Sequence, residues 1–211
     1  MGRIEELCAL IEPCDSFADV GCDHGFCARH VLQSGKCGNV LITDVSAKCL
    51  AKAEKLLAEF IESGSCRAVC CDGLTLVPGD TEQVLIAGMG GEEIIKILTE
   101  GFIPRKFVFQ PMKNAPKLRR FLLAHGCKIT YDGVFKDGKY YFVIKGERSG
   151  GSVGYTPAEL AFGRDSLGGD VLKEYAGSEL KKNAARLEKC VDKLQREKIL
   201  KEIELLTEVL K

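Results

Sequence analysis

Apolar and polar positions follow one another in a regular rhythm along the first two thirds of the chain. Short apolar runs predict five strands, at 16–20, 39–43, 66–71, 83–87 and 106–110. Between them, apolar residues recur at helical spacing, as Leu50, Leu57 and Ile61 do after Ser46. This spacing predicts helices at 4–11, 25–34, 46–63, 92–100 and 116–124. Strands that alternate with helices predict a mostly parallel sheet covered on both faces.

The rhythm changes to strand, turn and strand from Cys127 to Gly146. The turn reads KDGK, and a glycine after an acid between two apolar runs is a strong signal of a β-hairpin. Five strand–helix units followed by an antiparallel hairpin are typical of a class I methyltransferase, whereas dinucleotide dehydrogenases usually continue with parallel strands. We therefore predict an α/β fold with a Rossmann-like class I methyltransferase sheet.

A second domain is predicted after a glycine-containing linker at about 148–154. We expect residues 1–150 to form the sheet domain and residues 155–211 to form a small helical, coiled-coil-like domain. Within it, apolar residues at helical spacing are suited to packing two helices together or to forming a dimer: Leu180, Leu187, Val191, Leu194, Ile199, Ile203, Leu206 and Leu210.

Composition narrows the class of protein further. The chain has 211 residues, of which 45% are hydrophobic and 28% charged, so it can bury a core. Its formal net charge is zero, so nucleic-acid binding would need a local basic patch. No apolar run reaches the roughly 18 residues that span a bilayer, and the first residues are too acidic and too few for a signal peptide. Eleven cysteines without a C-x-x-C pair favour a reduced, cytoplasmic protein with no metal site and no membrane partner.

Unusual polar and glycine residues follow four of the predicted strands. In an open parallel sheet, ligands bind at the carboxyl ends of the strands, near the switch in strand order. The candidate cofactor-binding residues at these ends are Gly21, Cys22, Asp23, His24 and Gly25 after the first strand, Asp44 and Val45 after the second, Asp72 and Gly73 after the third, and Gly88, Met89 and Gly90 after the fourth.

The loop after the first strand indicates which cofactor would bind. Its G-x-x-x-G spacing lacks the middle glycine of the dinucleotide fingerprint, which lets pyrophosphate approach the backbone. Asp23 stands in that place, where it would repel a pyrophosphate and suit an ammonium group. Asp44 is placed to accept hydrogen bonds from ribose hydroxyls, and Asp72 from an adenine amino group. These features favour S-adenosylmethionine, which has no phosphate and a cationic amino end.

Each of these residues also has a purely structural interpretation. Asp23 could cap the following helix, and His24 could be an exposed residue of its first turn. Asp44 could cap a helix beside Ser46, while Asp72 with Gly73 is by itself a turn signal. The glycines after the fourth strand could form a flexible turn. Four such coincidences at four successive strand ends are less expected than one shared site.

Basic residues are predicted to hold RNA in two clusters. Because Lys and Arg neutralise phosphates, the candidate RNA-binding residues are Arg105, Lys113, Lys117, Arg119 and Arg120 near the fifth strand, with Lys106 beside them, and Lys181, Lys182, Arg186, Lys189 and Lys193 in the C-terminal segment. A solvated helix face is the alternative interpretation of the second cluster.

Several motifs closely resemble one family. ADVGCDHG, CDGL, IAGMGG and QPMKNAPKLRRFL, together with the helical C-terminal segment, resemble the bacterial tRNA (adenine-N1)-methyltransferase family TrmK, over essentially the whole chain. The resemblance implies S-adenosylmethionine as donor, adenine 22 of tRNA as acceptor, and a donor pocket lined by Gly21, Asp23, His24, Asp44, Asp72, Gly73, Gly88, Met89 and Gly90. The family often has Glu at the position of Asp44 and Asn at that of Met112.

The chemistry expected of such a site needs few catalytic residues, and we assign none. Adenine N1 carries an in-plane lone pair, so alignment on the methyl group supplies much of the rate. The chain lacks the Asn/Asp-Pro-Pro-aromatic motif of many amino-group methyltransferases at the fourth strand end, which favours a ring nitrogen. A small-molecule methyltransferase and a catalytically silent RNA-binding module are the alternatives. We expect a monomer or a weak homodimer.

Overall fold

A computed structural model describes residues 2–151 and 154–211 of the chain. The strands are β1 Phe17–Val20, β2 Val40–Asp44, β3 Cys66–Cys70, β4 Gln83–Met89, β5 Lys106–Pro111, β6 Cys127–Asp137 and β7 Lys139–Arg148. The helices are α1 Arg3–Ala9, α2 Phe26–Gln33, α3 Ala47–Leu56, α4 Ala58–Glu62, α5 Gly91–Glu100, α6 Ala115–Ala124, α7 Pro157–Phe162, α8 Asp170–Lys189 and α9 Lys193–Val209, with a 3₁₀ turn at Arg164–Ser166. In these two ranges, every helix is too short or too polar to cross a membrane.

The strands form one seven-stranded sheet in the order β3-β2-β1-β4-β5-β7-β6. The first five strands pair in parallel, and β7 pairs antiparallel with both β5 and β6. The predicted fold class is thereby confirmed. The strand order reverses between β1 and β4, so a crevice for a ligand is expected outside the carboxyl ends of these two strands.

The sheet is covered by helices on both faces, which explains its nearly unbroken apolar strands. On one face the core contains Phe17 and Ile42 together with apolar residues of α1, α2 and α3. On the other face Val20 and Ile86 pack with residues of α5 and α6. Because both faces are buried, β1 is buried at all four positions, including its one charged residue, Asp19.

Two helical stretches are interrupted in the structure: the predicted helix at 46–63 and the helical C-terminal segment. The predicted helix at 46–63 breaks at Leu57, which has φ −108° and ψ 16° and is fully buried. The C-terminal helical stretch breaks at Cys190, where the guanidinium of Arg196 donates hydrogen bonds to the carbonyls of Leu187 and Cys190 at 2.8 and 3.0 Å. Asp192 then caps α9 by accepting from the backbone N–H of Gln195. The apolar periodicity continues through both breaks, so it does not reveal them.

The predicted apolar stripes of the C-terminal segment pack only in part as expected. Ile199 and Leu206 are buried on α9, and Leu206 packs against residues of the sheet domain. Val191 is 98% exposed and Leu194 is 62% exposed, because both lie at the connection between the two helices, and Leu210 at the end of α9 is exposed as well. The stripe is therefore an internal contact of a helical hairpin over most of its length, and these three residues are not part of it.

A buried ion pair joins the sheet domain to the C-terminal segment. The side chains of Arg119 on α6 and Asp132 on β6 are both fully buried, and Arg119 Nε lies 2.8 Å from Asp132 Oδ2. Arg119 also donates to the carbonyls of Leu160 and Ala161 at the end of α7, at 3.2 and 3.1 Å. The division into domains 1–150 and 155–211 stays a prediction, but the two parts share this polar contact.

We predict that Arg119→Met destabilises the protein by about 3–5 kcal/mol, because it leaves Asp132 buried without a counter-charge. Arg120→Met is the matched control, since Arg120 is the exposed neighbour on the same helix and should change stability by less than about 0.5 kcal/mol. Urea unfolding of both variants measures the difference. Equal losses in the two variants would contradict the role given to the buried pair.

Candidate active site

The loop after β1 has a strained left-handed turn. Gly21, Asp23 and Gly25 have φ values of 71°, 47° and 75°. Glycine adopts this conformation without cost, and aspartate is among the few other residues that tolerate it. The backbone N–H groups of Gly21 and Cys22 both donate to the carbonyl of Thr43, at 2.8 and 2.9 Å, which fixes the loop against the end of β2.

Gly21 also lies beside the side chain of Met89, at the end of β4. A Cβ atom added at Gly21 would lie 2.0 Å from Cε of Met89, so the end of this flexible side chain would have to move. The positive φ of Gly21 is therefore the stronger reason for glycine at this position.

Asp44 ties the loops after β1 and β2 together. Its Oδ2 accepts from the backbone N–H of Asp23 at 3.0 Å, and its Oδ1 accepts from that of Ser46 at 2.8 Å. The carboxylate has about four lone-pair sites, so it can still accept hydrogen bonds from a ligand. The helix cap itself is Ser46, which accepts from the N–H of Cys49 at 3.3 Å. Asp44 is thus a link between loops as well as a candidate ligand-binding group.

Asp23 and His24 are hydrogen-bonded to each other at the rim of the site. His24 Nδ1 lies 2.8 Å from Asp23 Oδ2, and both side chains are about half exposed. The hydrogen bond from His24 lowers the pKa of Asp23 below its ordinary value. Asp23 does not cap the following helix, because the cap position of α2 is Gly25. The interpretation of Asp23 as a helix cap is therefore excluded.

One cavity of about 540 Å³ collects the four strand ends. Ten of the twelve predicted cofactor residues line it: Gly21, Cys22, Asp23, His24, Asp44, Val45, Asp72, Gly73, Gly88 and Met89. The other two, Gly25 and Gly90, lie at the helix starts behind it as the caps of α2 and α5. The structure brings the predicted residues together, and their binding of a cofactor stays a prediction.

The cavity also contains residues that sequence reasoning missed. Arg3 reaches it from α1, where its Nε donates to Oε1 of Gln110 at 3.0 Å and its guanidinium lies 5.3 Å from the ring centre of Tyr141. No spacing in the sequence relates Arg3 to a strand end. Glu93, on the first turn of α5, lines the cavity as well.

Asp19 is the missed residue that the sequence could have revealed. It is the one charged residue in the apolar strand FADV, and a buried charge in a strand is unusual. The carboxyl group is 4% exposed, lines the cavity, and accepts from the N–H of Ala28 at 3.2 Å. Burial raises the pKa of Asp19 to about 7, although the bond from Ala28 opposes the shift.

The residues of the first predicted basic cluster do not lie together on one surface, so their grouping in the prediction is wrong. Arg119 is fully buried against Asp132, so it cannot contact RNA. Arg105 and Lys106 stand at the amino end of β5, opposite the cavity, and Lys106 pairs there with Glu12 and Glu82. The prediction grouped these residues with the helix that follows the strand, but six residues of extended strand separate the two edges of the sheet. Lys113, Lys117 and Arg120 remain exposed on the carboxyl side.

The second predicted cluster is exposed on the helical hairpin. Lys181, Lys182, Arg186 and Lys189 lie on α8, and Lys193 begins α9. Lys182 pairs with Glu179 at 2.6 Å, and Arg186 with Glu202 at 3.9 Å. Among the described residues, no acidic side chain pairs with Lys181, Lys189 or Lys193 within 4.0 Å. These three cations are therefore available to another molecule.

Comparisons with known proteins agree with this architecture. The sheet order, its antiparallel last strands and the cavity at the carboxyl ends define a Rossmann-like methyltransferase fold. A family model described as a methyltransferase domain matches residues 1–144, and the chain belongs to that family. TrmK of M. capricolum, solved in complex with S-adenosyl-homocysteine, superposes with a TM-score of 0.89 at 21% identity over 99% of this chain and 98% of that one.

Two sequence relatives carry names that refer to tRNA. A Mycoplasma pneumoniae protein provisionally named a tRNA methyltransferase is 33% identical over 134 residues, which are 61% of this chain and 61% of that protein. The chain thus spans about three fifths of the length of this relative. The tRNA (adenine(22)-N(1))-methyltransferase of Bacillus subtilis is 24% identical over 199 residues, covering 92% of this chain and 80% of that one.

We predict that Asp19→Asn changes the pH dependence of stability. The folded pKa of Asp19, about 7, lies above its ordinary value of 3.8. The native state therefore retains a proton that the unfolded state has lost, and wild-type stability falls between about pH 4 and 7. Relative to wild type, Asp19→Asn should gain up to roughly 1.4 kcal/mol per pH unit in this window and change no further above it.

Urea unfolding of both proteins from pH 4 to 8 measures this difference. The control is Asp80→Asn, which alters an exposed acid at the opposite edge of the sheet and should run parallel to wild type. A constant difference between Asp19→Asn and wild type over the whole range would show that the buried carboxyl group is ionised throughout.

Proposed function

We propose that the protein is an S-adenosylmethionine-dependent methyltransferase that methylates N1 of an adenine in tRNA, at position 22. The observation that carries the proposal is the charge of the cavity. Its acidic lining residues are Asp19, Asp23, Asp44, Asp72 and Glu93, against Arg3 and His24 as basic ones. Such a cavity repels the phosphates of a dinucleotide and favours a cofactor with a cationic sulfonium and a cationic amino group.

The residues present fit this donor at each strand end. Asp23 offers a carboxylate to the amino group, and Asp44 retains lone pairs for the ribose hydroxyls. Asp72, beyond β3, can accept from the adenine amino group. When bound, S-adenosylmethionine supplies an electrophilic methyl group on sulfur. The binding of S-adenosyl-homocysteine by TrmK of M. capricolum, which has the same fold, supports this assignment.

Catalysis in this proposal rests on positioning and on electrostatics. Adenine N1 attacks through its own lone pair, so a strict general base is not required. Holding the two reactants in line can supply about 7–11 kcal/mol of the barrier in favourable cases. The methylated base carries a positive charge, which the acidic lining of the cavity stabilises. The target must first leave its stack, which costs a few kcal/mol.

The exposed cations bind the phosphate backbone of the RNA. Lys113 and Arg120 stand on the carboxyl side of the sheet, where Lys117 pairs with Glu92, and Lys181, Lys189 and Lys193 extend along the hairpin. Phosphate contacts of this kind give affinity without sequence preference. The relatives named above for tRNA methylation support tRNA as the substrate. We place the enzyme in the cytoplasm as a monomer or weak homodimer.

We expect Asp44→Ala to weaken binding of S-adenosylmethionine by about 1–3 kcal/mol, the scale for losing hydrogen bonds to a charged group. Titration calorimetry on the folded variant measures this loss. Asp80→Ala is the control, because it removes an exposed acid at the opposite edge of the sheet and should bind as wild type does. Unchanged affinity in Asp44→Ala would refute its role in donor binding.

Transfer of a tritiated methyl group to unmodified tRNA, followed by mapping of the modified nucleotide, tests the proposed reaction directly. We expect 1-methyladenine at position 22. Transfer to small molecules but not to tRNA would support a small-molecule methyltransferase. Donor binding without transfer to any acceptor would support a catalytically silent binding module.

Measurement of tRNA affinity at several salt concentrations tests whether the lysines of the hairpin bind the phosphate backbone. Changing Lys181, Lys189 and Lys193 to Gln should flatten the dependence of log affinity on log salt, by up to about 0.9 for each phosphate that is no longer neutralised. The matched triple variant changes Arg67, Arg105 and Lys128 to Gln, all at the amino edge of the sheet, and should keep the wild-type slope. Equal slopes in all three proteins would assign the hairpin a role in packing instead.

A further inference from the structure

A second cavity, of about 320 Å³, lies between the loop after β5, strand β7 and the C-terminal helices. Aromatic side chains form much of its lining: Tyr140, Phe142, Phe162 and Tyr175. The ring of Tyr175 meets those of Tyr140 and Phe142 edge to face, with centroid distances of 5.4 and 5.3 Å. These rings offer flat apolar surface inside a cavity that the first site does not use.

Polar side chains continue the lining of this cavity along the face of α8 that carries Tyr175, and onto α9. Glu179, Asn183 and Glu202 line it. Asn183 is 3% exposed, accepts from Arg186 at 3.0 Å and donates to Oε2 of Glu202 at 3.3 Å. The two carboxylates have basic neighbours, since Lys182 pairs with Glu179 and Arg186 with Glu202. Each carboxylate retains lone pairs that can accept from a ligand.

This lining favours a nucleobase over a phosphate. The lining contains the carboxylates of Glu179 and Glu202, and Lys113 is the basic residue among the described lining. This excess of negative charge disfavours the binding of an anion. Stacking on aromatic rings holds any base, while carboxylates select bases that present N–H donors. Guanine presents two adjacent donors to one carboxylate, and adenine and cytosine present an amino group. The single N–H edge of uracil lies between two carbonyl oxygens, which a carboxylate repels.

The second cavity shares a wall with the candidate active site. The N–H of Met112 donates to the carbonyl of Met89 at 2.8 Å, and Met89 lines the first cavity while Met112 lines the second. Behind this wall Gln110 is fully buried, accepts from Arg3 of the first cavity and donates to Sδ of Met112 at 3.4 Å. An RNA strand whose target base enters the first cavity therefore passes the opening of the second cavity.

We propose that this cavity binds an unpaired, amino-bearing nucleobase of the RNA that lies beside the methylated adenine, with guanine bound most tightly. The proposal rests on the proposed function, because it assigns the cavity to the same RNA substrate. Tyr140 and Tyr175 stack on the base, and Glu179 and Glu202 accept from its N–H groups. Lys113, at the rim, faces the phosphate that remains outside.

Fluorescence anisotropy of 5′-labelled RNA hexamers tests the site without any methylation. The hexamers are oligouridine, and oligouridine with a single G, A or C at the third position. Wild type should bind the G hexamer about tenfold more tightly than oligouridine, with A and C between them. Because stacking holds every base, the hydrogen bonds from guanine to a carboxylate account for such a factor. Equal affinity for all four hexamers overturns the proposal.

Variants assign the preference to the cavity. Glu202→Gln should reduce the preference for G over U to less than about threefold, and Glu179→Gln provides a second, independent test. The matched control is Glu204→Gln, an exposed neighbour on α9 outside the lining. A preference unchanged in both cavity variants, or reduced equally in the control, overturns the proposal.

The outcome is separable from that of the proposed function. Methyl transfer to tRNA with no hexamer preference refutes the base pocket alone. A hexamer preference that depends on Glu202, without methyl transfer, supports the pocket and refutes the proposed reaction.

Discussion

The buried pair of Arg119 and Asp132 is the interaction on which the arrangement of the carboxyl side of the molecule depends. It fixes α6 against β6, and through two carbonyls it fixes the end of α7 against both. The aromatic cluster of Phe142, Phe162 and Tyr175 packs beside it, with the guanidinium 5.4 Å from the ring centre of Phe142. The walls of the second cavity come from these same elements. An isolated charge at this depth would be strongly unfavourable, so the helical segment and the sheet are positioned together.

The candidate active site combines two loops that are held by different means. The loop after β1 is fixed by its own backbone, through left-handed residues and the shared carbonyl of Thr43. The loop after β2 is fixed to it by the carboxylate of Asp44. Because these contacts exist within the chain alone, the acidic groups are already positioned before any ligand arrives. Such preorganisation reduces the entropy lost on binding.

Much of this could be predicted from the sequence, since the relevant signals are local. Strand ends, the GCDHG turn and the KDGK hairpin depend on neighbouring residues, and the sheet order then brought ten predicted residues into one cavity. The failures concern long-range contacts. Arg119 reads as one of several surface cations until its partner thirteen residues away is known. Arg3 reaches the cavity only because α1 packs beside β6. No pattern of residue spacing in the sequence indicates this contact. Asp19 could have been found, because a lone acid within an apolar strand is a visible anomaly.

The position in the chain of the two carbonyls that Arg119 contacts affects when these contacts can form during synthesis. Residues 160 and 161 are synthesised about forty residues after Arg119, so the two hydrogen bonds from Arg119 to their carbonyls cannot form before then. A product that ended between Arg148 and Leu160 would contain every residue of the candidate active site but would lack the helices that cover Phe142 and Val134. Its exposed apolar surface is what chaperones and proteases recognise.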